Sequence, residues 1–235
     1  MKIKLQSLLL IFFLIASISF SQTRYMDEVF CDIEIESDIV YGNNITVLPL
    51  LQGGAPAPED LEMDIYMPSG DSATDRPVVM ILHTGSFLPA VINGQPTGSK
   101  TDSTIVEQCT RWAKKGYVAI AISYRLGWNP TSQDQNTRTS TLIQAAYRSI
   151  QDARSLIRFL REDESNANTY GIDGSKIAFG GHGTGGYLAL GTATLDTTAE
   201  LYLPKFLDLT DPQNPVPYVY PPVCLMFCAY CAEVC

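Results

Sequence analysis

The fold of this chain is decided by the stretch Gly181-His182-Gly183-Thr184-Gly185. An apolar run, Lys176–Gly180, precedes the stretch, and an amphipathic helix is predicted over Thr184–Leu195. Three glycines in five residues allow the backbone to turn sharply between the two elements. The pattern therefore predicts a tight strand-turn-helix unit with Gly183 at the apex of the turn.

Two further apolar runs lie upstream and are typical of strands that are buried on both faces of a parallel sheet. They are Pro77–Leu82 and Tyr117–Ser123. Between them, apolar residues spaced three and four apart predict a helix over Ser103–Lys115, which Gly116 ends. A strand, a helix and a second strand in this order predict a parallel pairing.

The remaining elements complete an alternation of strands and helices. Val29–Val40 and Asp60–Met67 alternate with period two, so we expect them to form an antiparallel start. A polar loop, Gly127–Thr139, leads to the clearest helix, Leu142–Arg161. The sequence therefore predicts an α/β fold with a central, mostly parallel sheet of about five or six strands and helices on both faces.

The first residues have the pattern of a secretory signal peptide. Lys2 and Lys4 precede an almost unbroken apolar run, Leu5–Ile18, and Ser19-Phe20-Ser21 offers small residues at a cleavage point. An uncleaved membrane anchor is the alternative, although this run is short for a bilayer span. We therefore expect residues 1–21 to be removed and the protein to be secreted or periplasmic, without a stable membrane anchor.

The rest of the chain is expected to form one α/β domain over residues 22–202, followed by a tail over residues 203–235 that is rich in proline and then in cysteine. With 46% hydrophobic and 17% charged residues, the composition is that of a globular protein. The net charge of −9 argues against a nucleic-acid partner, because phosphate binding needs clustered Lys and Arg.

Four short motifs occur in a fixed order along these elements. His83-Thr84-Gly85-Ser86 follows one strand, Ser123-Tyr124-Arg125 follows the next, and Gln151-Asp152-Ala153-Arg154 lies in the long helix, before the glycine-rich turn. Their order and spacing resemble the carboxylesterase/lipase branch of the α/β-hydrolase fold. The resemblance extends over roughly Asp60–Leu195, and it identifies the turn as the family's nucleophile elbow, Gly-x-Ser-x-Gly.

The resemblance implies an oxyanion hole made of backbone N–H groups. Its donors are expected in the loop His83–Ser86, which follows the strand Pro77–Leu82, and at Thr184. Thr84 stands where the family has a glycine, but backbone donors survive such a change. A structural histidine packed at a strand end is the alternative interpretation of His83. The residues assigned to the site are His83, Thr84, Gly85, Ser86, Gly181, His182, Gly183, Thr184 and Gly185.

The serine position of the elbow is occupied by Gly183, which has no side chain that could attack a carbonyl. We expect Thr184 to begin the helix and His182 to be a structural or pocket-lining residue. The resemblance also implies an acid and a histidine after the elbow, yet the two histidines of this chain, His83 and His182, lie at or before it. The acidic residues that follow are interpreted as surface or capping groups; they are Asp196, Asp208 and Asp211.

These deficits predict a fold that is C-terminally incomplete and a chain that is catalytically inactive. An uncovered sheet edge is expected to make such a chain poorly soluble or dependent on a partner. Asp152 and Arg154 are expected to lie on the exposed or half-exposed side of the long helix, as structural ion-pairing groups.

Four of the six cysteines crowd the end of the chain. Secretion favours disulfides among them, whereas thiolates also bind zinc, and Cys-x3-Cys-x2-Cys weakly resembles the cluster-binding run of radical-SAM enzymes. A frameshift or a truncated gene model would produce the same abrupt change of composition. We assign no metal site and no cofactor. The four are Cys224, Cys228, Cys231 and Cys235.

Three functions stay open at this point. The first is a secreted carboxylesterase/lipase-like protein, a carboxylic ester hydrolase by family, that is inactive in this chain. The second is a non-catalytic protein that keeps the hydrolase pocket for a small ester-like or hydrophobic ligand. The third is metal binding by the cysteine tail.

Overall fold

The computed structural model describes residues 23–195 and the backbone of two short strands further along the chain. The predicted signal peptide and the proline-rich and cysteine-rich tail otherwise lie outside the described residues. The strands are β1 (Ile33–Thr46), β2 (Ala57–Pro68), β3 (Arg76–Leu82), β4 (Val118–Ile122), β5 (Ile172–Gly181), β6 (Leu207–Asp208) and β7 (Val216–Pro217). The helices are a 3-10 turn (Leu48–Gln52), α1 (Ala90–Asn93), α2 (Ser103–Lys114), α3 (Gln135–Asn166) and α4 (Thr184–Thr194).

Strands β1 to β5 form one sheet in the order β1-β2-β4-β3-β5. Strand β3 pairs in parallel with β4 and with β5, whereas β1 and β2 are antiparallel to their neighbours. The prediction of an α/β fold with an antiparallel start is therefore confirmed. The first strand begins at Ile33 and continues to Thr46, so its predicted bounds, Val29–Val40, were several residues too early.

Helices cover both faces of this sheet, as the continuous apolar runs of β3 and β4 indicated. Val78, Met80 and Leu82 point to the face that is covered by α3 and α4. Val79 and Ile81 point to the opposite face, where α2 packs. Because successive side chains of a strand alternate between faces, a strand with two covered faces is apolar at every position.

Helix α3 begins earlier than the sequence predicted. Its cap is Asp134, whose carboxylate accepts hydrogen bonds from the backbone N–H groups of Asn136, at 3.3 Å, and Thr137, at 2.9 Å. The predicted loop, Gly127–Thr139, extends too far, because its residues from Gln135 onward belong to α3. These residues are polar, so they show no apolar periodicity that would indicate a helix. The capping residue was the available signal.

The expected exposure of Asp152 is also wrong. Its side chain is 1% exposed and pairs with the equally buried guanidinium of Arg125, at 2.7 Å. Asp152 further accepts the backbone N–H of Arg125 at 2.8 Å, so this carboxylate ties the loop after β4 to α3. Arg154 is half-buried and donates a hydrogen bond to the carbonyl of Thr192 in α4, at 3.0 Å.

Within residues 23–195, no helix is long and apolar enough to cross a membrane. Cys31 is exposed and Cys109 is buried in α2, and neither forms a disulfide. Burial raises the pKa of the Cys109 thiol to about 12, so this cysteine stays a neutral, unreactive core group. The cysteines of the tail lie outside the described residues.

Candidate functional site

The elbow joins the end of β5 to the start of α4. At its apex Gly183 has φ 53° and ψ −117°, a combination that glycine adopts readily and that strains other residues. The turn is closed by two backbone hydrogen bonds, from Gly185 N–H to His182 O at 2.8 Å and from Gly186 N–H to Gly183 O at 3.1 Å. The sharp strand-turn-helix unit predicted from the glycines is therefore present.

The flanking glycines bring the elbow against the end of β3. A Cβ atom on Gly181 would lie 2.5 Å from the carbonyl carbon of Gly185 and 2.8 Å from Leu82 O. A Cβ atom on Gly185 would collide with the carbonyl oxygens of Leu82 and His83. Only glycine fits at either position, so the start of α4 rests directly on the loop that follows β3.

That loop has an unusual backbone. Gly85, Ser86 and Phe87 have φ values of 119°, 56° and 56°, in the region that favours glycine. Side chains outside the loop hold it there. Asn93 donates to Gly85 O at 3.1 Å, and the indole of Trp128 donates to Ser86 O at 2.7 Å. Strained backbone held by its surroundings is common at functional sites.

His83 stabilises the loop through the contacts of its buried side chain and its carbonyl group. Its ring is 1% exposed and stacks on Tyr124, with 4.3 Å between ring centroids. Nδ1 lies 2.6 Å from Thr84 O and must carry the donated proton, since a carbonyl only accepts. The Tyr124 hydroxyl donates to His83 O at 2.6 Å. Burial lowers the pKa of His83, which keeps the ring neutral, so its side chain has a structural role within the loop.

The side chain of Thr84 lies at the apex of the elbow. A Cβ atom on Gly183 would collide with Thr84 Oγ1 and lie 3.2 Å from Thr84 Cβ. The structure therefore brings together the predicted oxyanion loop and the predicted elbow. It also shows a role for the Thr84 side chain that the sequence did not indicate, because only its backbone was assigned to the site.

The two residues next to the apex occupy different surroundings. Thr184 is the first residue of α4, as expected, and its hydroxyl oxygen is buried. His182 is exposed, and its Nε2 contacts the side-chain amide of Gln108 on α2. Gln108, Asn93 and Trp128 were not predicted to belong to this region. Each reaches it through tertiary packing, and no motif marks them in the sequence.

The described residues contain no group of three His, Cys, Asp or Glu side chains that could hold a metal ion. Burial lowers the pKa of the His83 ring, and this effect outweighs the opposing effects of the hydrogen bond to Thr84 and of the charge of Asp102. The arrangement can bind a group through backbone N–H donors and the Thr84 hydroxyl, but it offers no side-chain nucleophile at the apex.

Comparison with solved structures gives esterases, of which three illustrate the matches. A hyperthermophilic esterase from the archaeon Pyrobaculum calidifontis is 22% identical, with a TM-score of 0.42, covering 71% of this chain and 39% of that one. A propionate-bound thermophilic esterase of the planctomycete Thermogutta terrifontis is 27% identical, with a TM-score of 0.41 and coverages of 68% and 44%. Esterase 2 of the same organism, phosphoramylated by tabun, is 26% identical, with a TM-score of 0.42 and coverages of 72% and 48%.

This chain therefore spans less than half the length of each of these esterases. A search of curated proteins gave no match. The family comparison is more direct: the BD-FAE family model matches residues 63–213, which is more than half of the chain and includes β3, the His83–Ser86 loop, the elbow and α4. The chain belongs to the BD-FAE family of esterase-like α/β-hydrolases.

Proposed function

We propose that this chain is a secreted or periplasmic, carboxylesterase/lipase-like protein that does not itself hydrolyse esters. The observation that carries the proposal is Gly183 at the apex of the elbow, where the chemistry of the fold requires a side-chain nucleophile. Loss of the triad serine leaves the residual catalysis of binding and the oxyanion hole, which is roughly 10³–10⁴-fold over water. That rate is several orders of magnitude below a complete hydrolase.

Neighbouring groups do not replace the serine. The Thr184 hydroxyl is buried at the start of α4. The His83 ring is 1% exposed, so a bound substrate has little access to it and His83 is not placed to take its proton. Within residues 23–195, no hydroxyl at the elbow is paired with a histidine in the manner that a serine hydrolase needs.

Ligand binding without turnover is the second candidate function. At the start of α4, the N–H groups of Gly185 and Gly186 donate within the turn, so the N–H of Thr184 is the donor that this helix end offers a ligand. The helix dipole adds partial positive charge there. The His83–Ser86 loop, which the family uses for its second set of N–H donors, lies against this helix end. These donors suit a small carboxylic ester, a carboxylate or another ester-like hydrophobic ligand.

Turnover of p-nitrophenyl acetate tests the proposal. We expect the purified protein to release p-nitrophenol at the rate of buffer alone. The single variant Gly183→Ser is expected to stay at that background, because a serine alone has no base to activate it. Saturable turnover that is abolished by Thr184→Ala would contradict the proposal, since it would make Thr184 the nucleophile.

The proposed location has its own test. Expression of the full sequence in a secreting host, followed by intact-mass analysis of the exported protein, is expected to give a chain that begins at Gln22. A protein retained in the membrane fraction with Lys2–Ile18 attached would contradict cleavage. Metal binding by the cysteine tail stays a prediction, and a purified protein without stoichiometric metal would remove it.

A further inference from the structure

We propose that the Thr84 side chain has taken the place of the missing nucleophile, and that its hydroxyl hydrogen-bonds the carboxyl or ester carbonyl group of the ligand bound at the elbow. Thr84 is then the residue that adapts an esterase site to binding. The inference deepens the proposed function and rests on it, since it takes the elbow as the ligand site.

The geometry comes from the apex of the turn. A Cβ atom on Gly183 would collide with Thr84 Oγ1 and lie 3.2 Å from Thr84 Cβ. The hydroxyl therefore lies against the space that a side chain at residue 183 would enter. Thr84 is half-buried while Gly183 is exposed, so this space opens to solvent rather than into the core.

The two departures from the family pattern lie in contact. A side chain at residue 183 would meet the Thr84 side chain, which would have to rotate or shift to make room for it. The chain has a side chain at one position and none at the other. Thr84 and a side chain at residue 183 therefore compete for the same space.

The chemistry of the ligand follows from the donors at this point. Within the described part of the chain, the Thr84 hydroxyl forms no hydrogen bond with another side chain or with the backbone. It is free to donate to a carbonyl or carboxylate oxygen that approaches the Thr184 N–H at the start of α4. No bond is formed or broken, because a hydroxyl without a base acts as a donor only.

Binding of butyrate, measured by NMR titration of the purified protein, tests the role of the hydroxyl. Thr84→Val keeps the volume and removes the donor, so we expect its dissociation constant to rise roughly three- to tenfold. The matched control is Thr74→Val, an exposed threonine before β3, at the opposite end of the strand, which is expected to bind as the unmodified protein does.

A second measurement tests the steric pairing without any ligand. Gly183→Ala introduces backbone strain in every background, but it collides with a side chain only when Thr84 is present. We expect the loss of Tm caused by Gly183→Ala to be smaller by roughly 2–4 °C in the Thr84→Gly background. A Gly183→Ala protein that folds only in that background supports the pairing equally.

The outcomes separate the inference from the proposed function. If the unmodified protein binds no butyrate, the proposal that the elbow binds a ligand is wrong. The melting experiment still tests the steric contact between residues 84 and 183. If it binds butyrate and Thr84→Val binds equally well, the hydroxyl is not a ligand donor. Equal losses of Tm in the two backgrounds would show that Thr84 does not occupy the apex.

Discussion

Residue 183 shows how much of the site depends on one backbone conformation. In an active hydrolase the nucleophile is held in a strained turn, and a glycine relieves that strain while it removes the reacting atom. The substitution itself is visible in the sequence. The contact of this position with Thr84 is not visible in the sequence, because it depends on how closely the end of β3 packs against the elbow. Gly181 and Gly185 set that distance.

His83 gives a pH-dependent prediction at the same scale. Burial holds the pKa of its ring below the ordinary value of 6.5 in the folded protein. As the pH falls below that value, the unfolded chain takes up a proton that the folded protein resists, so folding stability is lost. We expect the Tm of the unmodified protein to fall more steeply between pH 7.5 and 5 than that of His83→Asn.

Asparagine is the suitable replacement because its amide N–H can still donate to Thr84 O. Carboxylates that titrate in this range do so in both proteins and cancel in the comparison. The other histidine, His182, is exposed and is present in both. If Tm falls equally steeply with pH in the unmodified protein and in His83→Asn, His83 is not the group that causes the loss of stability.

At the scale of single elements, the link between α3 and the sheet is a buried ion pair. Arg125 donates to Asp152 through Nε and Nη2, and its other N–H groups reach the carbonyl of Ile45 at 3.1 Å and the side chain of Gln151 at 3.2 Å. The sequence showed the two motifs but placed Asp152 on the outer side of the helix. Helical periodicity assigns charged residues to solvent, and it gives no sign of a partner on another element.

Removal of one partner leaves the other buried and unpaired. We therefore expect Asp152→Asn to lower the free energy of unfolding by about 3–5 kcal/mol, measured by urea denaturation. The matched control is Glu107→Gln, which breaks a pair with Arg111 on the exposed face of α2 and is expected to lower the free energy of unfolding by much less than Asp152→Asn does. Equal effects of the two substitutions would mean that burial of the Arg125–Asp152 pair does not increase its contribution to the free energy of unfolding.

At the scale of the whole molecule, the layered architecture was predictable from the sequence, whereas the register of the strand pairing was not. The continuous apolar runs of β3 and β4 indicated a sheet with two covered faces, and the alternation of β2 indicated an antiparallel start. The extension of β1 to Thr46 depends on its pairing with Ala57 and Pro58 in β2, across the connection that contains Gly53 and Gly54. Local periodicity does not encode this pairing. The order of motifs along the chain identified the family because three of the four motifs lie at the end of a strand and the fourth lies in the long helix.

The central claim is that this elbow, within an esterase family, has no nucleophile. Treatment with a fluorophosphonate probe and intact-mass analysis test it most directly, because such probes form a covalent bond to an activated serine or threonine without requiring turnover. We expect the mass of the protein to remain that of the untreated chain. A stoichiometric increase by one probe, mapped to Thr84 or Thr184 and lost on prior unfolding, would contradict the account.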